Sequence, residues 1–166
     1  IVNISVKSKD RFQPLYSITG EAELIENTLD LEGYLGNKPV RVGNQAYTHI
    51  QNDVYGQILL ALLPLFVDSR FINRERSDSL HLIYDVLKKI DDLMEEPDAG
   101  LWEFRTLSQF HSYTYLFHWA GAAAARKIGK TFKDDKIYKL ADRLMKESSA
   151  KIEACYDSNR KVYTQA

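Results

Sequence analysis

The feature that most constrains this chain is a helical spacing of apolar residues that recurs in four separate segments. It is cleanest over residues 79–94, where five apolar residues recur at intervals of three and four. These five are Leu80, Ile83, Leu87, Ile90 and Met94. Such spacing places the side chains on one face of a helix, which must then pack against another element. The same period predicts helices over residues 45–66, 110–128 and 134–156, so the chain is expected to be all-α.

Individual residues suggest where these helices begin and end and where they can pack closely. A serine or aspartate among residues 77–79 can cap the second helix, and Gly129 is expected to close the third as a left-handed cap. The small side chains of residues 119–127 allow a neighbouring helix to approach closely. Pro64 is expected to bend or end the first helix, because proline lacks a backbone N–H and crowds the preceding turn.

The first and fourth helices are each expected to bury one apolar face. The inward residues of the first are predicted to be Ile50, Val54, Ile58, Ala61, Leu62 and Leu65. Those of the fourth are predicted to be Ile137, Leu140, Ala141, Leu144, Ile152 and Cys155. The chain has one cysteine, which cannot form an intrachain disulfide and is interpreted as a buried thiol.

The first 44 residues have a different pattern. Residues 11–24 alternate in polarity and are interrupted at Pro14 and Gly20, which predicts a short hairpin or extended strands. Residues 33–44 contain three glycines and one proline and are predicted to form a loop with unusual backbone conformations. The N-terminal segment is therefore expected to be a short extended or β-hairpin region preceding the helices.

Composition excludes several classes of partner. The 166 residues fit one domain, and 22 Lys and Arg against 23 Asp and Glu argue against nucleic-acid binding. The longest apolar run, residues 58–67, has ten residues and is too short to cross a bilayer. No signal peptide opens the chain, so no membrane partner and a cytoplasmic location are expected.

Two long loops, residues 33–44 and 95–105, carry aromatic, acidic and basic side chains suited to binding a polar ligand. The candidates are Tyr34, Arg41, Asn44, Trp102, Glu103, Arg105 and His111. If successive helices run antiparallel, both loops lie at the same end of the bundle and can line one cleft. A glutamate beside a tryptophan can act as a general acid, because desolvation raises its pKa. The alternatives remain that Trp102 fills the core and that Glu103 pairs with Arg105 or caps a helix.

Other kinds of site have little support in the sequence. The four histidines, His49, His81, His111 and His118, have no Cys or carboxylate spacing typical of zinc ligands. No phosphate-binding glycine loop or serine nucleophile motif is present. No metal and no cofactor are therefore expected.

Four motifs occur in order along the chain. They are GYLG at residues 33–36, PVRVGN at 39–44, QNDVYG at 51–56 and DAGLWEFR at 98–105. In sequence and spacing they resemble the glucoamylase-like glycoside hydrolases of family 15, particularly the bacterial glucoamylase, glucodextranase and trehalase branch. The resemblance covers nearly the whole chain.

The resemblance implies a fold, a reaction and a set of site residues. The fold would be an (α/α)6 toroid of antiparallel helical hairpins, with the active site at one end. The reaction would be hydrolysis of α-linked glucose oligosaccharides or trehalose with inversion, and Glu103 would be the general acid. The residues that would bind sugar are Tyr34, Arg41, Asn44, Leu101, Trp102, Arg105 and His111.

The same resemblance implies that residues 1–166 are an incomplete catalytic domain. The family's general base and its sugar-binding Arg-Asp pair have no counterpart here, so the chain alone is expected to be inactive and to associate with itself or with the rest of the domain. After the histidine the family usually has Ser-Lys, where this chain has Thr114 and Tyr115, and further on Asp-Arg, where it has Ala123 and Ala124. A non-catalytic helical module that binds carbohydrate or protein therefore remains an alternative.

Overall fold

The computed structural model describes residues 11–71, 79–102 and 106–166. These residues form two compact units, one ending at Ile50 and the other beginning at Gln51. Four α-helices and a short N-terminal antiparallel strand pair account for most of the regular structure, which confirms the predicted fold class. The assignment of residues 1–166 to one partial catalytic domain stays a prediction.

The first unit contains a two-stranded antiparallel pair. Strand β1 (Asn27–Leu29) pairs with β2 (Val40–Val42), and a 3-10 turn, Tyr34–Gly36, lies in the connection between them. The strands lie later than the prediction of strands in residues 11–24, and β2 runs through residues predicted to form a loop. A turn closed by the Gly20 N–H to the Ser17 carbonyl interrupts the earlier segment. Proline at position 14 cannot donate to a strand ladder.

Helix α1 (Val54–Val67) opens the second unit and begins nine residues later than predicted. Asn44 caps only a 3-10 turn, Gln45–Thr48, after which the backbone of His49 is extended. Pro64 was predicted to bend or end the helix. It does not end the helix, because α1 continues to Val67. A proline near the last turn removes only one helical hydrogen bond.

The predicted inward face of α1 is correct at Leu62, and Val54 and Ile58 are half-buried, but the other predicted residues do not lie inward. The buried residues are Tyr55, Gly56, Leu59, Leu62 and Phe66. Ala61 and Leu65 are exposed, and Ile50 precedes the helix. Nearly every residue of α1 is apolar, so spacing alone could not identify the face, which is set by the contact of Gly56 with the third helix.

Helix α2 (Leu80–Leu93) matches its prediction closely. Its buried residues are Leu82, Ile83, Val86, Leu87 and Ile90, and Met94 is buried just beyond the helix. Leu80, predicted to be inward, is only half-buried. Ser79 makes no side-chain capping bond, and the other two predicted caps, residues 77 and 78, lie outside the described residues.

Helices α3 (Ser112–Phe132) and α4 (Asp135–Ala154) form an antiparallel hairpin with a two-residue connection. The prediction that Gly129 is the left-handed cap is wrong, since Lys133 has that conformation, with φ of 57°. Gly129 lies within α3, where a Cβ would come within 2.9 Å of the Tyr138 backbone nitrogen. Glycine at 129 therefore allows the close approach of α4, and Asp134 caps that helix by accepting two backbone N–H bonds.

The buried residues of α4 are Ile137, Ala141, Leu144 and Ser148. Three residues predicted to be inward, Leu140, Ile152 and Cys155, are half-buried. The helix ends at Ala154 because the chain turns into a hairpin of β3 (Tyr156–Asp157) and β4 (Val162–Tyr163), which the sequence did not predict.

The small residues of α3 bring it against α1, as the sequence predicted. Gly121 faces Gly56 at this contact, and a Cβ on Gly56 would overlap the Phe117 carbonyl. Among the helices that the structure describes, none is both long and apolar enough to cross a bilayer.

Candidate active site

The loop between α2 and α3 is built around the carboxylate of Asp98, which has no exposed surface. The Asn52 N–H and the Thr114 hydroxyl each donate to Oδ2 at 2.8 Å, and the Gly100 N–H donates to Oδ1 at 3.0 Å. These donors come from the segment before α1, from α3 and from the loop itself. Because a buried carboxylate is costly without partners, the three bonds explain how Asp98 can lie in the core.

Backbone contacts fix the base of this loop. Asp98 and Gln109 exchange both N–H···O bonds at 2.9 Å, which closes the loop formed by the residues between them. The Asn52 side chain donates to the Glu96 carbonyl at 3.1 Å, and His118 Nε2 donates to the Asn52 carbonyl at 3.0 Å. The segment before α1 is therefore bonded to both the loop and α3.

His111 lies directly beneath the loop and is 2% exposed. Its Nε2 is 3.9 Å from Asp98 Oδ1, and a Cβ placed on Gly100 would come within 2.5 Å of the same nitrogen. Gly100 also has φ of 64°, a conformation that favours glycine. Among the described residues, neither ring nitrogen of His111 has a hydrogen-bond partner. The turn above this ring thus requires glycine for two independent reasons.

Beyond Gly100 the chain reaches the surface. Leu101 is 51% exposed and Trp102 is 65% exposed, so the interpretation of Trp102 as a core residue is wrong. The indole Nε1 donates to Gln165 Oε1 at 2.9 Å, and the Gln165 carbonyl accepts from the Ser112 N–H at 2.8 Å. A segment following the β3–β4 hairpin therefore holds the exposed tryptophan against the start of α3.

Two predicted site residues, Glu103 and Arg105, lie outside the described residues. Their roles as general acid and sugar ligand stay predictions. Trp102, which immediately precedes Glu103 in the sequence, is within the described residues.

Three predicted sugar-binding residues belong to the first unit. Tyr34 is 84% exposed, and the guanidinium of Arg41 pairs with Glu26 at 3.3 Å on the surface. The Asn44 side chain accepts from the Ala46 N–H at 2.9 Å and so begins a 3-10 turn. Their predicted binding roles are untested by these contacts.

Sequence reasoning missed the buried polar cluster around Asp98, which also includes Asp53 and His118. Burial is the main cause that raises the pKa of Asp53; the Asp98 charge adds to it, and the hydrogen bond from Gln57 opposes it. Burial also lowers the pKa of His118, against the opposing effects of its bond to the Asn52 carbonyl and of the Asp98 charge. Paired polar residues at positions 52 and 53, directly before an apolar helix, were the available signal.

Two observations concern metal binding and water access in this cluster. Across residues 11–71, 79–102 and 106–166, no group of three or more His, Cys, Asp or Glu side chains could hold a metal ion. Asp98 accepts three hydrogen bonds and has no exposed surface, so it has no access to the water that a general base would activate. The three bonds to Asp98 therefore hold the loop to its neighbouring segments.

Comparison with known proteins identifies the family. Residues 2–166 match glycosyl hydrolases family 15. The chain belongs to this family. The resemblance inferred from the four motifs is therefore confirmed. No solved structure matches the chain.

Three of the proteins to which the chain is similar are named trehalases. The chain is 29% identical to the trehalase of Thermoplasma acidophilum over 88% of its own length and 25% of the relative. It is 34% identical to the trehalase of Thermoplasma volcanium over 73% of its length and 19% of the relative. It is 31% identical to the trehalase of Mycobacterium tuberculosis over 92% of its length and 22% of the relative. The family 15 chain thus spans about a fifth to a quarter of these relatives.

Proposed function

We propose that this chain forms part of an α-glucoside hydrolase that acts with inversion on α-linked glucose oligosaccharides or trehalose. The observation that carries the proposal is the family 15 match over residues 2–166, which includes the DAGLWEFR motif. The similarity to proteins named trehalases supports trehalose as a substrate. The chain alone is expected to be inactive.

Glu103 is the proposed general acid. In the sequence it immediately follows an exposed turn that is bonded to the core through Asp98. A general acid must hold its proton near neutral pH, and partial desolvation beside an indole raises the pKa of a carboxyl group. An inverting hydrolase also needs a second carboxylate, about 6.5–9.5 Å away, as general base. We assign that role to a carboxylate other than the buried Asp98.

Each of the two units carries its own set of proposed sugar-binding residues. The exposed side chains of Leu101 and Trp102 offer apolar surface for a sugar face, and Tyr34 offers another aromatic ring. Arg41, Asn44 and Arg105 would supply hydrogen bonds to hydroxyl groups. His111 is buried, so we propose that it contributes by supporting Gly100 rather than by touching sugar.

The test uses the complete protein that carries this chain. Turnover of trehalose, maltose and isomaltose is measured for the wild type, for Glu103→Gln and for the control Glu96→Gln, which neutralises an exposed glutamate of the same loop. The first substitution is expected to lower kcat by about 10²–10⁴-fold, because general acid catalysis contributes that much. The control should stay within twofold of wild type. A Glu103→Gln rate equal to that of the wild type excludes this residue as the acid.

One observation favours the alternative of a non-catalytic binding module. Tyr115 and Ala124 are both buried, at two of the positions where the resemblance leads one to expect polar residues. In that case calorimetric titration of the complete protein with glucose oligosaccharides would give binding, while product analysis would detect no glucose. Release of the β-anomer of glucose as the first product would instead support inverting hydrolysis.

A further inference from the structure

The two carboxylate oxygens of Asp98 bond to different parts of the fold. Oδ2 accepts from the Asn52 N–H, which belongs to the segment before α1, and from the Thr114 hydroxyl of α3. Oδ1 accepts from the Gly100 N–H, which belongs to the turn that carries Leu101 and Trp102. One oxygen therefore anchors the side chain in the helical core, and the other restrains the turn.

Few movements of this turn are compatible with its surroundings. Gly100 is packed against the His111 ring so closely that not even a Cβ would fit, which limits motion towards the core. At the surface, the Trp102 indole is bonded to Gln165. Of the two hydrogen bonds that restrain the turn, the one to Asp98 is buried, and buried hydrogen bonds are stronger than exposed ones.

We propose that Asp98 is a positioning residue that fixes the Leu101–Trp102 turn through the Gly100 N–H. Its effect on turnover rests on the proposed hydrolase function, but its effect on the turn does not. Displacement of a reacting group by about 1 Å can lower the rate about 10²-fold. Loss of this bond should therefore lower kcat more than it changes KM.

The substitution Asp98→Asn can separate the two functions of the carboxylate. An amide has one acceptor oxygen and one NH2 donor. Two donors meet at the Oδ2 position and one at the Oδ1 position, so the amide oxygen is expected to occupy the former. The NH2 group would then face the Gly100 N–H, donor against donor, and the bond to the turn would be lost.

Thr114→Val is the matched control. It removes one anchoring bond to Oδ2 and retains the carboxylate that accepts from Gly100. A merely structural role of Asp98 would make the two variants behave alike, with lower stability and unchanged kcat per folded molecule. If Asp98 positions the turn, Asp98→Asn should both loosen the Leu101–Trp102 turn and lower kcat, whereas Thr114→Val should do neither.

The first measurement is amide hydrogen exchange in the complete protein labelled with 15N-glycine. Gly100 is expected to exchange at least tenfold faster in Asp98→Asn than in wild type and less than threefold faster in Thr114→Val. Equal exchange in wild type and Asp98→Asn would overturn the proposal. If Asp98→Asn does not fold, the hydrogen bond can be tested in the wild type. A scalar coupling across it, between the Gly100 nitrogen and the Asp98 carboxyl carbon, is then expected. Absence of this coupling overturns the proposal.

The second measurement is steady-state kinetics on the best α-glucoside substrate. Asp98→Asn is expected to lower kcat at least tenfold with KM changed less than threefold, and Thr114→Val should keep kcat within threefold of wild type. Equal loss in both variants would reduce Asp98 to a structural residue. If the wild type itself turns over no α-glucoside, the proposed function fails, and the exchange experiment still tests the positioning of the turn.

Discussion

Gly56 of α1 and Gly121 of α3 are in backbone contact, such that a Cβ on Gly121 would lie 2.5 Å from the Gly56 Cα. Real Cβ atoms do not approach other atoms so closely, so the two helices can adopt this spacing only with glycine at both positions. The contact joins α1 to the longest helix of the described chain.

Replacement of Gly121 by alanine should destabilise the protein. In an open helix the change would stabilise it by about 0.8–1 kcal/mol, because alanine has the higher helix propensity. Here the added methyl group meets backbone atoms, and overpacking of this kind costs about 1–3 kcal/mol or more. A net loss in the free energy of unfolding is expected from urea denaturation. Ser149→Thr, which adds a methyl group on the exposed face of α4, is the control and should change stability by less than about 0.5 kcal/mol.

Acid should weaken the fold through His118. Burial lowers its pKa in the folded protein below the unfolded value of 6.5, so the unfolded chain binds more protons between these two pKa values. The stabilisation is complete above pH 6.5 and is lost as the pH falls through the folded pKa. His118→Gln keeps a donor for the Asn52 carbonyl and cannot titrate, so its free energy of unfolding should depend less on pH in this window.

The control for this prediction is Ser149→Thr at an exposed position of α4, which changes no titratable group. It should leave the pH dependence of the free energy of unfolding between pH 7 and 5 as in wild type. A slope that is the same in His118→Gln as in wild type would show that His118 is not the responsible group.

Two substitutions near the end of α3 are expected to change the melting temperature in opposite directions. Lys133 has φ of 57°, a left-handed conformation that costs a non-glycine residue about 1–2 kcal/mol. Lys133→Gly is therefore expected to raise the melting temperature, whereas Gly129→Ala should lower it because the Cβ would crowd the start of α4. Differential scanning calorimetry of the two variants checks this; a lower melting temperature for Lys133→Gly would contradict it.

The sequence predicted the buried face of a helix where polar and apolar residues lie on different sides of the helix axis. In α2, charged residues separate the apolar ones, and its predicted face was largely correct. In α1 nearly all residues are apolar, so the burial of Leu59 and exposure of Leu65 depended on a tertiary contact that periodicity does not contain. The left-handed conformation of Lys133 was likewise not predicted, because glycine is the residue that usually adopts it and the nearest glycine is Gly129.

For the candidate site too, the sequence predicted local features but not contacts between distant residues. The motifs identified the family and the loop from Asp98 onwards, because these are local in sequence. The bonds from Asn52 and Thr114 to Asp98 join residues 46 and 16 positions apart, and nothing local in the sequence specifies such pairing. The exposure of Trp102 could not be inferred either, since tryptophan occurs both in cores and at binding surfaces.

The buried carboxylate of Asp98 has a consequence for how this part of the chain assembles. Its oxygens acquire all three partners only when the segment before α1, the loop and α3 have come together. An intermediate in which Asp98 is buried before the segment preceding α1 or α3 has docked leaves the carboxylate short of a hydrogen-bond donor, and a buried polar group without its partner is unfavourable by about 1–3 kcal/mol. Half-assembled forms should therefore be scarce, and the three segments should gain their structure in a single cooperative step.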